Sequence, residues 1–199
     1  MPHIDYFFAT ISPFTYLAGT RLEEMAAKHG ATITYKPLDI PQLFARTGGS
    51  LPKDRHPNRQ AFRLADIRRT AALRDMPVNI KPAFWPTNMA PSGYAIIAAQ
   101  KAGGGDLGAL AHGITRACWA EDKNIAEDDV IRECLSAAGF DPALADTGML
   151  SSAEEYAANL EEAVNRGVFG APSYIPDSGE VFFGGDQIAD LDAHLSGKI

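Results

Sequence analysis

The sequence predicts an α/β protein whose strands lie near the two ends of the chain and whose middle is helical. Residues 3–9 form a largely apolar run of strand length, typical of a central strand buried on both faces. The alternating run 31–36 predicts a second strand. Strand character returns at 173–175 and at 181–183, on either side of a Pro-Asp-Ser-Gly turn. The order of elements is therefore β-α-β, a long helical region, and then β-β-α.

The first helix is predicted by its end signals and its apolar spacing. Ser12 stands at the N-cap, Pro13 takes the first helical position, and Gly30 ends the helix. Because a helix joins the first two strands, we expect these strands to pair in parallel. Start and stop signals predict further helices over 57–74, 91–102, 106–119, 127–138 and 152–166, and from Asp186 onward.

Two distant loops indicate the type of α/β fold. One leads from the first strand into the helix that begins at Ser12, and the other places Pro172 just before a strand. A helix N-terminus that faces a proline loop is typical of a thioredoxin-like fold. We therefore expect a thioredoxin-like domain over 1–38 and 167–199 and a large all-helical insertion domain over 39–166. Pro172 is interpreted either as cis, with the Ala171 backbone open to a peptide-like ligand, or as part of an ordinary turn.

Composition and charge argue against several classes of protein. The chain has 199 residues and a net charge of -7, which argues against nucleic-acid and membrane-surface partners. No apolar run has the length of a transmembrane helix, and the N-terminus shows no signal-peptide pattern. We therefore expect a cytoplasmic protein.

The chain has two cysteines, Cys118 and Cys134, whose spacing fits neither a C-x-x-C pair nor a zinc site. Both lie in helical apolar patterns, so we interpret them as small buried side chains, with a disulfide or a catalytic thiol as the alternatives. No metal site is expected.

Ser12 has two interpretations. As a helix cap alone it would stabilise the fold by about 1 kcal/mol. It also stands at the positive end of the helix dipole, where backbone N–H groups and its hydroxyl can hold an anion, such as a thiolate supplied by a cofactor. Ser12 is not expected to be a strong nucleophile, because the sequence shows no convincing histidine and acid partner for it.

Two further segments are candidates for ligand contact. Gly184 and Gly185 let a ligand approach the backbone closely, and Asp186 either caps the next helix or accepts a bond from an ammonium group. The segment 53–74 carries seven basic and two acidic residues, which we interpret mostly as a solvated helix face. Arg55 differs, because it lies in a loop before that helix, and we interpret it either as part of an anion site or as a solvated loop residue.

These motifs resemble a known family. The most specific segments are SPFTYLA at 12–18, VFGAP at 168–172 and FFGGD at 182–186. In these segments, and in element order over nearly the whole chain, the sequence resembles the 2-hydroxychromene-2-carboxylate isomerases. Those proteins are glutathione-dependent relatives of kappa-class glutathione transferases and of DsbA thiol oxidoreductases. The position that often holds a cysteine holds Ser12, which favours the isomerase and kappa branch.

The resemblance implies glutathione as cofactor, a small aromatic carboxylate as substrate, and a homodimer. The residues that it implies for the cofactor are Ser12, which would hold the sulfur and act in catalysis, with Ala171, Pro172, Phe183, Gly184, Gly185 and Asp186. Those that it implies for the substrate are Phe44, Asp54, Arg55 and Trp85. Arg55 matches the family pattern, whereas Asp54 replaces an asparagine, Trp85 lies near a family tyrosine, and Phe44 replaces a lysine of some members.

The leading hypothesis is therefore a glutathione-dependent isomerase of an aromatic-degradation intermediate, acting by cis-trans isomerisation. One alternative is a kappa-like glutathione transferase that retains the thioether product. Another is a non-catalytic thioredoxin-like protein that binds peptides beside Pro172. A disulfide oxidoreductase is disfavoured, because the site has no cysteine pair.

Overall fold

The computed structural model describes residues 1–199 and contains one four-stranded sheet with helices packed on both faces. The strand order is β2-β1-β3-β4. Strand β1 pairs in parallel with β2 and antiparallel with β3, and β3 pairs antiparallel with β4. The predicted parallel pair and the predicted hairpin are therefore confirmed. The strands are β1 (His3–Phe8), β2 (Thr32–Pro37), β3 (Ser173–Pro176) and β4 (Phe182–Phe183).

Nine α-helices surround this sheet, and most of them lie between β2 and β3 in the chain. They are α1 (Pro13–Ala18), α2 (Arg21–His29), α3 (Ile40–Thr47), α4 (Pro57–Leu73), α5 (Ala90–Ala102), α6 (Leu107–Trp119), α7 (Asp128–Ala137), α8 (Met149–Asn165) and α9 (Ile188–Leu195). Short 3-10 turns cover Pro52–Asp54 and Pro142–Ala145. None of the helices combines the length and the apolar character needed to span a membrane.

Strand β1 is buried on both faces, as its apolar run predicts. Ile4, Tyr6 and Phe8 contribute to the larger core on one face of the sheet. Phe7 points to the other face, where it packs in a smaller core with residues that include Leu160 of α8. This alternation follows from the two-residue period of a strand, and it makes β1 the element that joins both cores.

The single helix predicted between Ser12 and Gly30 is wrong, because the chain forms α1 and α2 with a break at Gly19. Gly19 takes a φ of 63°, which ends the first helix. The Arg21 guanidinium then donates to the carbonyl of Ala18 at 3.0 Å and to that of Gly185 at 2.7 Å. Apolar residues keep the helical spacing across the break, so the sequence pattern alone does not show it.

The starts of two other helices differ from the prediction, and one helix is absent from it. Helix α8 begins at Met149, so Ser152 lies inside the helix, buried, and its hydroxyl has no partner. Helix α9 begins at Ile188, and Asp186 does not cap it. Helix α3 is not predicted at all, although Asp39 caps it by accepting the N–H of Gln42 at 3.0 Å.

A network of four charged residues fastens β1 to β2 and α8. Asp5 accepts from Arg166 and lies 3.2 Å from the ammonium of Lys36, and both cations also contact Glu162. Burial raises the pKa of Asp5, but the bonds from Arg166 and Lys36 outweigh it and hold this pKa below 3.8. The ionised carboxylate therefore stabilises the folded state.

We predict that Asp5→Asn lowers the free energy of unfolding at pH 7 by about 2 kcal/mol, because the two cations lose their shared carboxylate. Since the folded pKa lies below the unfolded value, the contribution of Asp5 is complete above about pH 4 and is lost as the pH falls through the folded pKa. The difference between the variant and the wild type should therefore shrink below pH 4. Denaturant unfolding across pH measures this.

Asp129→Asn is the matched control, because the Asp129 side chain is 93% exposed in its pair with Arg132. This control should change the stability little at any pH. Equal effects of Asp5→Asn and Asp129→Asn at pH 7 would contradict the role given to the network.

Candidate functional site

Ser12 stands where β1 passes into α1, at the edge of the sheet. Its Oγ accepts the N–H of Thr15 at 3.3 Å, which confirms the predicted cap. Its own N–H donates to Ala9 O at 3.0 Å. Pro13 has no N–H, and the N–H of Phe14 has no partner within the protein. The start of α1 therefore offers one free backbone donor beside the Ser12 hydroxyl.

The loop before β3 faces Ser12. The Ala171–Pro172 bond is cis, as the first of the two interpretations of Pro172 predicts. The Ser12 hydroxyl donates to Ala171 O at 3.4 Å, and the N–H of Ala171 has no partner within the protein. A carbonyl oxygen accepts two bonds, so Ala171 keeps one free acceptor position and one free donor. An extended peptide-like ligand can pair with both.

The turn after β4 joins the same loop. The N–H of Gly184 donates to Pro172 O at 2.9 Å, and Gly184 takes a φ of 102° that favours glycine. A Cβ on Gly185 would lie 3.5 Å from the Cα of Ala18, so this turn packs closely on the end of α1. The Asp186 side chain is exposed beside the turn. The structure therefore brings together the three predicted segments around Ser12, Pro172 and Gly184.

Phe183 lies at the border of this region. Its side chain is 41% exposed, and its ring packs against Phe169 with 4.8 Å between the ring centroids. Phe169 is also exposed, and it belongs to the loop that contains Pro172. The two rings form an apolar surface beside the free backbone groups of Ala171.

The helical region between β2 and β3 contributes two indole rings to the Ser12 loop. Trp85, half-buried between α4 and α5, donates its Nε1–H to Ile11 O at 3.0 Å. Trp119, buried at the end of α6, donates to the same oxygen at 3.2 Å. The family resemblance implies that Trp85 contacts the substrate, and nothing in the sequence indicates either bond. Nothing in the sequence indicates the second cis proline, Pro86, either.

Arg63 on α4 is the main residue of this region that the sequence pattern does not single out. Its guanidinium lies 5.2 Å from the ring centroid of Trp85 and 6.0 Å from that of Phe14, and it has no ion pair or hydrogen bond. Burial, with repulsion from Arg55, lowers the pKa of Arg63 to about 10. The available signal was its helical spacing, four residues before the buried Ile67. Arg63 therefore faces inward, unlike most of its basic neighbours.

The predicted substrate residues Phe44 and Arg55 lie together. The Arg55 guanidinium lies 5.7 Å from the ring centroid of Phe44, and its Nε donates to Ser50 O at 2.9 Å. Burial, with repulsion from Arg59, lowers the pKa of Arg55. Asp54 is exposed and forms no ion pair. Arg55 and Arg63 thus repel each other, and neither has a carboxylate partner, so these two cations can bind an anion.

The two cysteines lie on α6 and α7, outside the loops around Ser12 and Pro172. Burial raises the pKa of Cys118 to about 12 and that of Cys134 to about 11, so both are protonated at neutral pH. No group of three His, Cys, Asp or Glu side chains is placed to hold a metal ion. The site therefore has anion-binding groups but no thiolate of its own.

Comparison with known proteins agrees with this fold. A family model described as a DSBA-like thioredoxin domain matches residues 3–196. A solved structure of a 2-hydroxychromene-2-carboxylate isomerase superposes with a TM-score of 0.77 over 98% of this chain and 95% of that chain, at 22% identity. The chain is thus a DsbA-like thioredoxin protein, which confirms the predicted fold class with its helical insertion.

Sequence relatives give a finer assignment. A 2-hydroxychromene-2-carboxylate isomerase of Sphingobium xenophagum is 30% identical over 196 residues, which cover 96% of this chain and 97% of the relative. Glutathione S-transferase kappa 1 of Caenorhabditis elegans is 29% identical over 208 residues, with 96% and 91% covered. The chain therefore belongs to the 2-hydroxychromene-2-carboxylate isomerase family, as its motifs indicated.

We predict that benzoate, an aromatic carboxylate, raises the melting temperature of the wild type by about 3–6 °C at ten times its dissociation constant. The reason is that it supplies the carboxylate that Arg63 lacks. Arg63→Met should lose at least half of this shift. Arg68→Met is the matched control, because Arg68 is exposed on the same helix, and it should retain the shift. An equal shift in all three proteins would remove Arg63 from the site.

Proposed function

We propose that this protein is a glutathione-dependent isomerase of an aromatic-degradation intermediate, acting by cis-trans isomerisation on a substrate of the 2-hydroxychromene-2-carboxylate type. One observation carries the proposal. The Ser12 hydroxyl faces the Ala171 backbone 3.4 Å away across a cis-proline loop, in a site without a protein thiol. The names of the relatives support an isomerase and the use of glutathione.

The residues around Ala171 fit glutathione. The free N–H and the carbonyl of Ala171 can pair with the backbone of the cysteinyl unit, as with an added strand. Gly184 and Gly185 have no side chains that would obstruct the γ-glutamyl end, and the exposed carboxylate of Asp186 suits its ammonium group. When bound, glutathione would supply a thiolate that adds reversibly to a conjugated double bond of the substrate, so that this bond can rotate.

Ser12 would stabilise the negative charge at the sulfur. The hydroxyl has one proton, so donating it to an anion replaces the long bond to Ala171 O. The bond from the N–H of Thr15 can remain and hold the oxygen in place. This exchange also frees Ala171 O for the ligand backbone. A bond to an anion is stronger than the neutral bond it replaces, and the free N–H of Phe14 can add a second one.

The substrate side of the site is basic and aromatic. Arg55 and Arg63 have no carboxylate partner, and a guanidinium can bind a carboxylate through two parallel bonds. Phe14, Phe44 and Trp85 provide ring faces beside these cations. An aromatic or conjugated carboxylate matches both features. Asp54, which precedes Arg55 in the chain, is exposed, and it would disfavour substrates with a second carboxylate near it.

Isothermal titration with reduced glutathione tests the cofactor. We expect saturable binding by the purified protein, and no measurable binding would refute the proposal. Mass balance with a conjugated aromatic carboxylate then tests the reaction, because an isomerase leaves the amount of glutathione unchanged. Peptide binding beside Pro172, without turnover of any electrophile, would instead indicate a non-catalytic protein.

The second candidate is a kappa-like glutathione transferase. The Caenorhabditis elegans relative favours it, because that protein is named glutathione S-transferase kappa 1 and matches over nearly the full chain. The same mass balance decides between the two candidates. Consumption of glutathione, with a stable thioether product, would establish the transferase.

We predict that Ser12→Ala reduces turnover about tenfold or more and changes glutathione affinity less. The tripeptide keeps its contacts at Ala171 and Gly184, whereas the thiolate loses one charge-assisted bond worth about 1.5–3 kcal/mol. Thiolate absorbance followed against pH should show a higher pKa for the bound thiol. Ser196→Ala removes a hydroxyl that only bonds Asp192 O at the end of α9, and it should leave the titration unchanged. An unchanged titration in Ser12→Ala would show that Ser12 is only a cap.

A further inference from the structure

We propose that Trp85 and Trp119 are positioning residues for Ser12, a role that makes the helical region a working part of the site. Both indoles donate to one oxygen, the carbonyl of Ile11, at 3.0 and 3.2 Å. Ile11 directly precedes Ser12, so its carbonyl carbon is bonded to the nitrogen of Ser12. Two donors occupy both acceptor positions of that oxygen and fix the orientation of the peptide plane that joins Ile11 to Ser12.

The two bonds come from two separate segments of the helical region. Trp119 ends α6 and is 1% exposed, so its ring cannot move without disturbing the core. Trp85 lies in the segment between α4 and α5 and contacts Trp119, with 5.6 Å between the ring centroids. The Ile11 carbonyl is therefore held by two elements of the helical region at once. One donor would satisfy it, and the second restricts its rotation.

Thr10, the residue before Ile11, is also held by the helical region. Ser92 of α5 donates its hydroxyl to Thr10 Oγ1 at 2.8 Å, and both side chains are buried. The Thr10 hydroxyl in turn donates to Met89 O at 3.4 Å. The connection from β1 to α1 is thus tied to the helical region at two consecutive residues. Its other end is tied to the Pro172 loop through the bond from Ser12 to Ala171 O.

Trp85 also connects the loop that carries Ser12 with the cation Arg63. Arg63 lies 5.2 Å from its ring centroid, so the side chain that positions Ser12 also packs on the cation that favours an anion. A substrate carboxylate at Arg63 would therefore lie on the same indole whose N–H holds Ile11. This link rests on the proposed function, whereas the bonds to Ile11 do not.

Native-state hydrogen exchange of the Ser12 amide, followed by NMR, tests the positioning role without any ligand. Trp85→Phe and Trp119→Phe remove the N–H donor and keep an aromatic ring, which is smaller than the indole. We expect the Ser12 amide to exchange roughly fivefold to tenfold faster in each variant, the change that follows the loss of one hydrogen bond. The amide of Gly103 serves as an internal reference, because it donates to Ala99 O at the end of α5. Its hydrogen-exchange rate should change only as far as global unfolding changes.

Tyr16→Phe is the matched control. The Tyr16 hydroxyl donates to Pro77 O at 2.6 Å, so it also ties α1 to the chain between β2 and β3 through one backbone carbonyl, but beyond Ser12. Its loss should leave Ser12 exchange unchanged. The proposal is overturned if Trp85→Phe leaves the Ser12 rate unchanged, or if Tyr16→Phe accelerates it equally. Because Trp85 is only half-buried, its variant keeps the test decisive even if Trp119→Phe does not fold.

A second measurement links positioning to catalysis. Once glutathione binding by the wild type is established, Trp85→Phe should raise the pKa of the bound thiol, whereas Tyr16→Phe should not. Absence of glutathione binding in the wild type would refute the proposed function and leave the exchange result to decide the positioning role. Faster Ser12 exchange with an unchanged thiol pKa would overturn the link to catalysis.

Discussion

The antiparallel pairing of β3 with β1 is the constraint on which the site depends. In this register Ser173 lies opposite Phe7, so the chain leaves β1 and enters β3 at the same edge of the sheet. Ser12 and Ala171, 159 residues apart in the chain, therefore meet within hydrogen-bond reach. A register slip of one residue would turn Ile175 of β3 away from its core and would move Ala171 away from the serine.

The helical region between β2 and β3 packs against the sheet, and it also holds the loop that carries Ser12. A loop between a strand and a helix is commonly mobile, and a catalytic group on it must be held by its surroundings. Here the holding groups are buried and come from outside the sheet, with two indoles on Ile11 and a hydroxyl pair at Thr10. These side chains are already in place without a ligand. The conformational entropy of ordering them is therefore lost during folding and not when a ligand binds.

The sequence predicts most of the sheet and the loops, because strand alternation, caps and glycine turns act within a few residues. Ser12, Pro172 and Gly184 could be placed for this reason. Arg63 and Trp119 could not, since an arginine in a basic helix and a tryptophan in an apolar pattern have common structural interpretations. Their roles depend on contacts with Trp85 and Ile11, which are distant in the chain. The break at Gly19 was hidden for another reason, because the apolar residues keep their helical spacing across it.

The distribution of charge supports the class of substrate proposed for the site. The whole chain has a net charge of -7, so the protein as a whole repels anions at long range. Screening limits that repulsion to about 8–10 Å at physiological salt, whereas a partly buried guanidinium acts at contact distance and is screened less. Arg55 and Arg63 lack carboxylate partners, and each has its charge opposed by burial. An anion that reaches them would relieve that penalty, which supports the proposed substrate, a small carboxylate with an aromatic body, over both neutral aromatics and large polyanions.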